Sequence, residues 1–183
     1  RGCAYLDLEQ YKSAITDSSM AISLDPSIKE CYANRGLAYL KLSEYKSAIT
    51  DYSTAIKLDP NNEDYYVGRG LAYLGLGQYD SVITDYSMAI KLDPNNEEYY
   101  ENRGYAYLKL SEYKSAITDY SMAIKLDPNN KECYANRGLA YLKLSEYKSA
   151  ITDSSMAISL DPNNASAYNV RGCAYLSLGQ YDS

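Results

Sequence analysis

The sequence predicts an all-α solenoid of antiparallel helix-turn-helix hairpins, and three observations in its 183 residues lead there. The chain repeats itself every 34 residues, apolar residues follow helical spacing twice within each period, and a proline stands at one fixed place in every unit. Arg-Gly recurs at Arg1, Arg35, Arg69, Arg103, Arg137 and Arg171, always 34 residues apart. Asp-Pro recurs in the same rhythm, with prolines at Pro26, Pro60, Pro94, Pro128 and Pro162. A unit this short cannot enclose its own hydrophobic face, so its core must form by stacking on neighbours.

The register defines full units at 29–62, 63–96, 97–130 and 131–164, flanked by partial units at 1–28 and 165–183. Taken together, residues 1–183 read as a single array. Both ends cut through a hairpin without the polar capping repeat a solenoid needs, so the expectation is a fragment of a longer array.

Each element follows from the unit Lys29 to Asn62. Tyr32, Gly36 and Tyr39 fall at i, i+4 and i+7, one face of a first helix. Ala48, Ile49, Tyr52, Ala55 and Ile56 trace the corresponding face of a second. Between them Leu42-Ser43-Glu44-Tyr45 leaves room only for a tight turn, so the helices must run antiparallel. Pro60 stops the second helix, because a proline disfavours helical geometry in the residue before it, and the asparagines after it can cap the next helix. Glu63, Asp64, Glu97 and Glu98 then occupy helix starts, where the macrodipole favours negative charge. Gly36, like Gly70, Gly104 and Gly138, costs roughly 1 kcal/mol in a helix interior, which implies an approach too close for a side chain.

Tyr32, Gly36, Tyr39, Ala48, Tyr52, Ala55 and Pro60 occupy unit positions 4, 8, 11, 20, 24, 27 and 32. In that pattern the chain resembles the tetratricopeptide repeat family along its whole length. The resemblance implies that the hairpins wind into a right-handed superhelix. Three departures stand out. Tyrosine replaces the family's tryptophan at position 4, arginine takes the leucine site at position 7, and Ser18 and Ser154 stand where position 24 calls for an aromatic. The serines are expected to leave local gaps. Twenty of the 23 tyrosines fall at positions 4, 11, 17 and 24, where they read as core and inter-repeat packing.

An arginine at position 7 lies between helices in that fold, and an unpaired guanidinium there would cost several kcal/mol. An aspartate follows 16 residues later in every unit that has a second helix. The expected structural ion pairs are therefore Arg35 with Asp51, Arg69 with Asp85, Arg103 with Asp119 and Arg137 with Asp153, with Arg1 and Asp17 alike.

The resemblance also implies a concave groove lined by positions 2, 5, 6, 9, 12 and 13 of the first helices. In the first full unit these are Glu30, Ala33, Asn34, Leu37, Leu40 and Lys41. Leu71 and Leu74 follow, then Tyr105, Leu108 and Lys109, then Leu139, Leu142 and Lys143. The leucines would draw an apolar stripe, a feature that usually marks an interaction surface; the competing reading packs them inside a tight superhelix. Chaperone-binding members grip a terminal carboxylate with lysine and asparagine. Here position 5 is Ala33, Val67, Glu101 or Ala135 and position 9 is leucine or tyrosine, so that carboxylate clamp is not expected.

Catalytic chemistry finds little footing. The chain has no histidine, which removes the commonest general base and metal ligand. Gly68-Arg69-Gly70 misses the dinucleotide spacing because Tyr73 occupies the third glycine site. The regular carboxylates are scattered along the array instead of converging across one cleft. No enzyme activity and no cofactor is expected. The net charge of -6 argues against nucleic acid and anionic membranes as partners, and no run is apolar enough to span a bilayer. Cys3, Cys31, Cys133 and Cys173 are scattered without metal-type spacing and read as small apolar residues. The leading expectation is a scaffold binding a protein or peptide in its groove. The alternative is a structural protein whose like ends stack copies head to tail into a filament.

Overall fold

The computed structural model describes residues 10–179, so expectations that involve Arg1 and Cys3 lie outside the described residues. Ten helices follow one another among them: α1 Tyr11–Leu24, α2 Lys29–Lys41, α3 Tyr45–Leu58, α4 Glu63–Gly75, α5 Tyr79–Leu92, α6 Glu97–Lys109, α7 Tyr113–Leu126, α8 Lys131–Lys143, α9 Tyr147–Leu160 and α10 Ala165–Ser177. No strand accompanies them within the described residues. The fold is an all-α repeat solenoid.

The helix boundaries have local causes. Each first helix ends in a reciprocal hydrogen-bonded turn: the Ser43 amide donates to the Leu40 carbonyl at 3.0 Å and the Glu44 amide to the Tyr39 carbonyl at 2.8 Å. This closure requires a left-handed residue, and position 15 supplies it at φ 60°, 62° and 62° for Ser43, Ser111 and Ser145 and at 68° for Gly77. The second helices end at the aspartate before proline, where Asp59 Oδ1 accepts from the Asn61 amide at 3.1 Å. Asn62 and Asn96 then cap α4 and α6 by accepting from the Asp64 and Glu98 amides, each at 3.0 Å.

The chain forms two compact units, residues 1–94 and 95–183. In the first, α2 with α3 and α4 with α5 make hairpins, α1 packs on α2, α3 packs on α4, and the first helices α2 and α4 touch. Its core joins Ala48, Tyr52, Ala55, Tyr65 and Ala72. In the second, α6 pairs with α7 and α8 with α9, α7 packs on α8, and α9 packs on α10. Tyr120, Ala116 and Ala123 are fully buried there. Burying one such ring stabilises the stack by roughly 2 kcal/mol.

The glycines make room for rings. A Cβ on Gly36 would stand 3.1 Å from the Tyr52 ring, and one on Gly104 would stand 3.2 Å from the Tyr120 ring. The close approach is thus that of a tyrosine from the partner helix.

The tyrosines divide by position. Those at positions 4 and 24 are buried through the middle of the array, as Tyr52, Tyr66, Tyr86, Tyr100, Tyr120 and Tyr134 are. Those at positions 11 and 17, such as Tyr39, Tyr45, Tyr73 and Tyr113, stay half-buried. Packing is therefore a full account for the first set only.

At Ser154 a small side chain stands where other hairpins place a ring. Ser154 is fully buried, and a Cβ on Gly138 would stand 3.1 Å from its hydroxyl and 3.4 Å from the Ala150 carbonyl. Val170, at the position Gly68 holds opposite Tyr52, packs against Ala150 and Ala174. The enclosed Ser154 hydroxyl has no hydrogen-bond partner among the described residues.

Candidate functional site

The arginine at position 7 organises each hairpin. Arg69 donates from Nε to Asp85 Oδ2 at 2.8 Å and from Nη2 to Asp85 Oδ1 at 2.7 Å. Arg35 grips Asp51 through the same two bonds, both at 2.7 Å. Arg103 with Asp119 and Arg137 with Asp153 repeat the fork at 2.7 to 2.8 Å. The aspartates are almost wholly buried. Hydrogen bonding to the carboxylate raises every one of these guanidinium pKa values above the ordinary arginine range.

A third bond reaches backwards along the chain. Arg69 Nη1 donates to Ser53 Oγ at 3.0 Å, Arg35 Nη1 to Ser19 at 2.9 Å and Arg137 Nη1 to Ser121 at 2.9 Å. Each of these guanidinium groups therefore ties its own hairpin to the second helix of the hairpin before. Tyr66 and Tyr73 flank Arg69 with ring centroids at 5.9 Å, one turn before and one after, which puts the cation against two aromatic faces. Sequence reasoning found the aspartate and missed the serine, although a serine recurs at position 25 of every unit that has a second helix.

The groove is best developed in the first compact unit. A cavity of about 460 Å³ opens between α2 and α4, lined by Glu30, Ala33, Asn34, Leu37 and Leu40 from one side and Leu71 from the other. A second hollow of about 430 Å³ continues from it, sharing Leu40 and Leu71 and adding Lys41, Leu74, Tyr45 and Gly75. Both volumes lie within the range of small-ligand sites. Leu40 also packs against the buried core, so it serves both as wall and as packing.

The larger cavity is completed by Asp64, Val67 and Gly68, which hold groove positions 2, 5 and 6 of the next unit, and by Tyr52, Asn62 and Tyr65, which lie outside the groove positions. Gly68 is the decisive one. A Cβ at that position would lie 2.2 Å from Tyr52 Cζ, so only glycine lets the phenol end of Tyr52 rise between the helices. The signal was present in the chain, since position 6 holds Asn34, Asn102, Asn136 and Val170 in the other units.

The second compact unit treats the same positions differently. Glu101, at the place of Ala33, accepts from Asn130 Nδ2 at 2.7 Å, bridging α6 to the start of α8. Tyr105, at the place of Leu37, lies under the Lys109 ammonium with its centroid 5.0 Å away. Leu139 and Leu142 pack against Ala150, Val170 and Ala174, Leu108 is half-buried, and Lys143 is exposed. Burial pushes the Cys133 thiol well above the usual range, with Glu101 adding to the effect. No cluster of metal-ligating side chains occurs among the described residues, and no helix there is long and apolar enough to cross a membrane.

Comparison with known proteins agrees with this architecture. A family model described as TPR repeat matches residues 38–77, 72–111 and 104–145, and models described as tetratricopeptide repeat match 131–164 and 155–183. Among solved structures, the crystal structure of MamA is 28% identical with a TM-score of 0.82, over 84% of this chain and 84% of that one. The first TPR of Spaghetti, bound to the HSP90 peptide SRMEEVD, is 28% identical with a TM-score of 0.63, over 66% of this chain and 96% of that one. YrrB, a TPR protein with an unusual peptide-binding site, shares the fold at 19% identity and a TM-score of 0.87, over 93% and 88% of the two chains. No curated protein sequence matches the chain.

Proposed function

Because the chain belongs to the tetratricopeptide repeat family, we propose that it is a non-catalytic scaffold whose groove between α2 and α4 binds a peptide segment of a partner protein. The observation that carries this reading is the pair of adjoining hollows sharing Leu40 and Leu71. They form a continuous, largely apolar trough of the kind that receives an extended chain, with polar groups at the floor and rim to fix its orientation. A peptide-bound relative, Spaghetti, supports the same use of this fold.

The ligand differs in kind from an acidic chaperone tail. Ala33 and Val67 stand at position 5, and no lysine or arginine lines the larger cavity, so nothing there neutralises a carboxylate. Acidic balance directs the protein away from nucleic acid for the same electrostatic reason. The arginine-aspartate forks are structural in this reading: they hold the first helices at the spacing that keeps the trough open.

A peptide array probed with the labelled protein tests the proposal. Leu37→Asp and Leu71→Asp, both at partly exposed positions, are expected to reduce binding at least tenfold while circular dichroism stays unchanged. Retention of wild-type affinity in both variants would refute the groove.

A further inference from the structure

The polar groups of the larger cavity select among peptides, a selectivity that rests on the groove being a peptide site in the first place. Its charged lining residues are Glu30 and Asp64, both acidic, one from each wall. Lys29, next to Glu30 in the chain, is held by Asp59 at 2.6 Å. Two phenols complete the surface. Tyr52 is 5% exposed and Tyr65 6% exposed, and both line the cavity. The Tyr52 ring points its hydroxyl end at the Gly68 backbone, which lines the cavity.

Two phenols beside two carboxylates, all facing one cavity, favour a ligand that donates hydrogen bonds. An aliphatic side chain would displace water from the phenols and carboxylates and return no hydrogen bond to them. An acidic one would face two like charges. A primary ammonium or a guanidinium donates to the carboxylates and to the phenolic oxygens together, while its methylene stem lies along Leu37, Leu40 and Leu71. Desolvation and the nearby Asp64 charge push the Tyr52 phenol pKa upward, which keeps it neutral and able to accept from such a donor.

We infer that the α2–α4 groove recognises a basic peptide, seating a lysine or arginine side chain between Glu30 and Asp64 above Tyr52 and an aliphatic neighbour in the hollow of Leu71 and Leu74. The second compact unit lacks this site. Glu101 there is engaged by Asn130, Tyr105 by Lys109, and the Tyr120 hydroxyl is fully enclosed.

The test begins with an array of acetylated, amidated hexapeptides scanned position by position, using the intact 183-residue chain. Lysine and arginine are expected to be enriched at one position, with leucine, isoleucine or valine enriched beside it. The best peptide is then compared by fluorescence polarisation with versions carrying norleucine or glutamate in place of the lysine. Loss of a charge-assisted hydrogen bond predicts about tenfold or greater weakening for norleucine, and more for glutamate. The double variant Glu30→Gln, Asp64→Asn should erase the preference for lysine over norleucine, Tyr52→Phe should reduce it, and Glu132→Gln in the second unit should leave it intact.

Equal binding of the lysine and norleucine peptides overturns the inference, as does a lysine preference that survives the double variant. If peptides bind without basic preference yet are lost in Leu71→Asp, only this inference falls. An array that captures nothing, or binding indifferent to Leu71→Asp, overturns the groove reading as well.

Discussion

Removing Asp85 should unfold more of this protein than any single exposed contact could. Its carboxylate, 2% exposed, accepts from Arg69 Nη2 at 2.7 Å and from Nε at 2.8 Å. Asp85→Ala leaves a guanidinium, 19% exposed, facing Ser53 and two tyrosine rings with no counter-charge. Breaking a buried pair from one side costs about 3–5 kcal/mol, and the partial access of water to Arg69 places the expected loss near the lower figure. Replacing both partners by apolar residues, as in Arg69→Met with Asp85→Leu, removes the desolvation penalty with the attraction. That double variant should fall within about 1 kcal/mol of wild type. Urea unfolding followed by circular dichroism gives both numbers, and hydrogen exchange should locate the loss of Asp85→Ala in α4 and α5, because repeat stability is a sum of local terms. A loss below about 1 kcal/mol for Asp85→Ala, or a double variant as unstable as the single one, would refute the claim that the fork is a buried, desolvated pair.

Three further outcomes are open to measurement. Burial raises the folded-state pKa of the Tyr52 and Tyr120 phenols, so their contribution to stability is complete below the unfolded value near ~10 and is lost as pH rises beyond it; absorbance of tyrosinate should appear together with loss of helix, and Tyr52→Phe, Tyr120→Phe should move that alkaline midpoint upward. Ser111→Gly should stabilise by up to about 1 kcal/mol in urea unfolding, since relief of left-handed strain exceeds the entropy glycine loses, whereas the same change at Ser115, inside α7, should destabilise. Cys173 is exposed while Cys133 is buried with its thiol pKa pushed up, so a thiol-specific disulfide reagent should label Cys173 rapidly and Cys133 only as the chain unfolds.

The fold was legible because every local rule repeats. Helical spacing, the tight turn and Asp-Pro occur often enough that no single departure obscures the period. The forks were legible too, since a position-7 arginine between helices demands a counter-charge and one aspartate keeps a constant distance from it. What escaped was everything that depends on how far one helix stands from the next. Ser53 reaches Arg69 from the preceding hairpin, and no spacing within a unit reveals that. Tyr52 read as core, and it is core by burial. Its use as a cavity floor follows from Gly68 on the next first helix, a pairing visible only once the two helices are laid side by side. At Ser154, where the ring is missing, the small side chain is itself fully buried, with its hydroxyl 3.1 Å from where a Cβ on Gly138 would stand.

The distribution of differences between units separates what holds the array from what it presents. Units 29–62 and 97–130 differ at five positions: Lys29 against Glu97, Cys31 against Tyr99, Ala33 against Glu101, Leu37 against Tyr105, and Thr54 against Met122. Four of the five lie on the first helix, and the second helices are otherwise identical, down to the aspartate of the fork and the tyrosine of the core. Ala33 and Leu37 line the open cavity, while Glu101 and Tyr105 are the residues drawn into contacts in the second unit. A second helix must satisfy its own hairpin and the next at once, so its substitutions are felt in two interfaces. A groove position on the first helix answers mainly to solvent or ligand. Ala33 and Leu37, with Gly68 on the next first helix, leave one copy of the repeated surface open, while Glu101 and Tyr105 engage its near-twin with other side chains of its own unit.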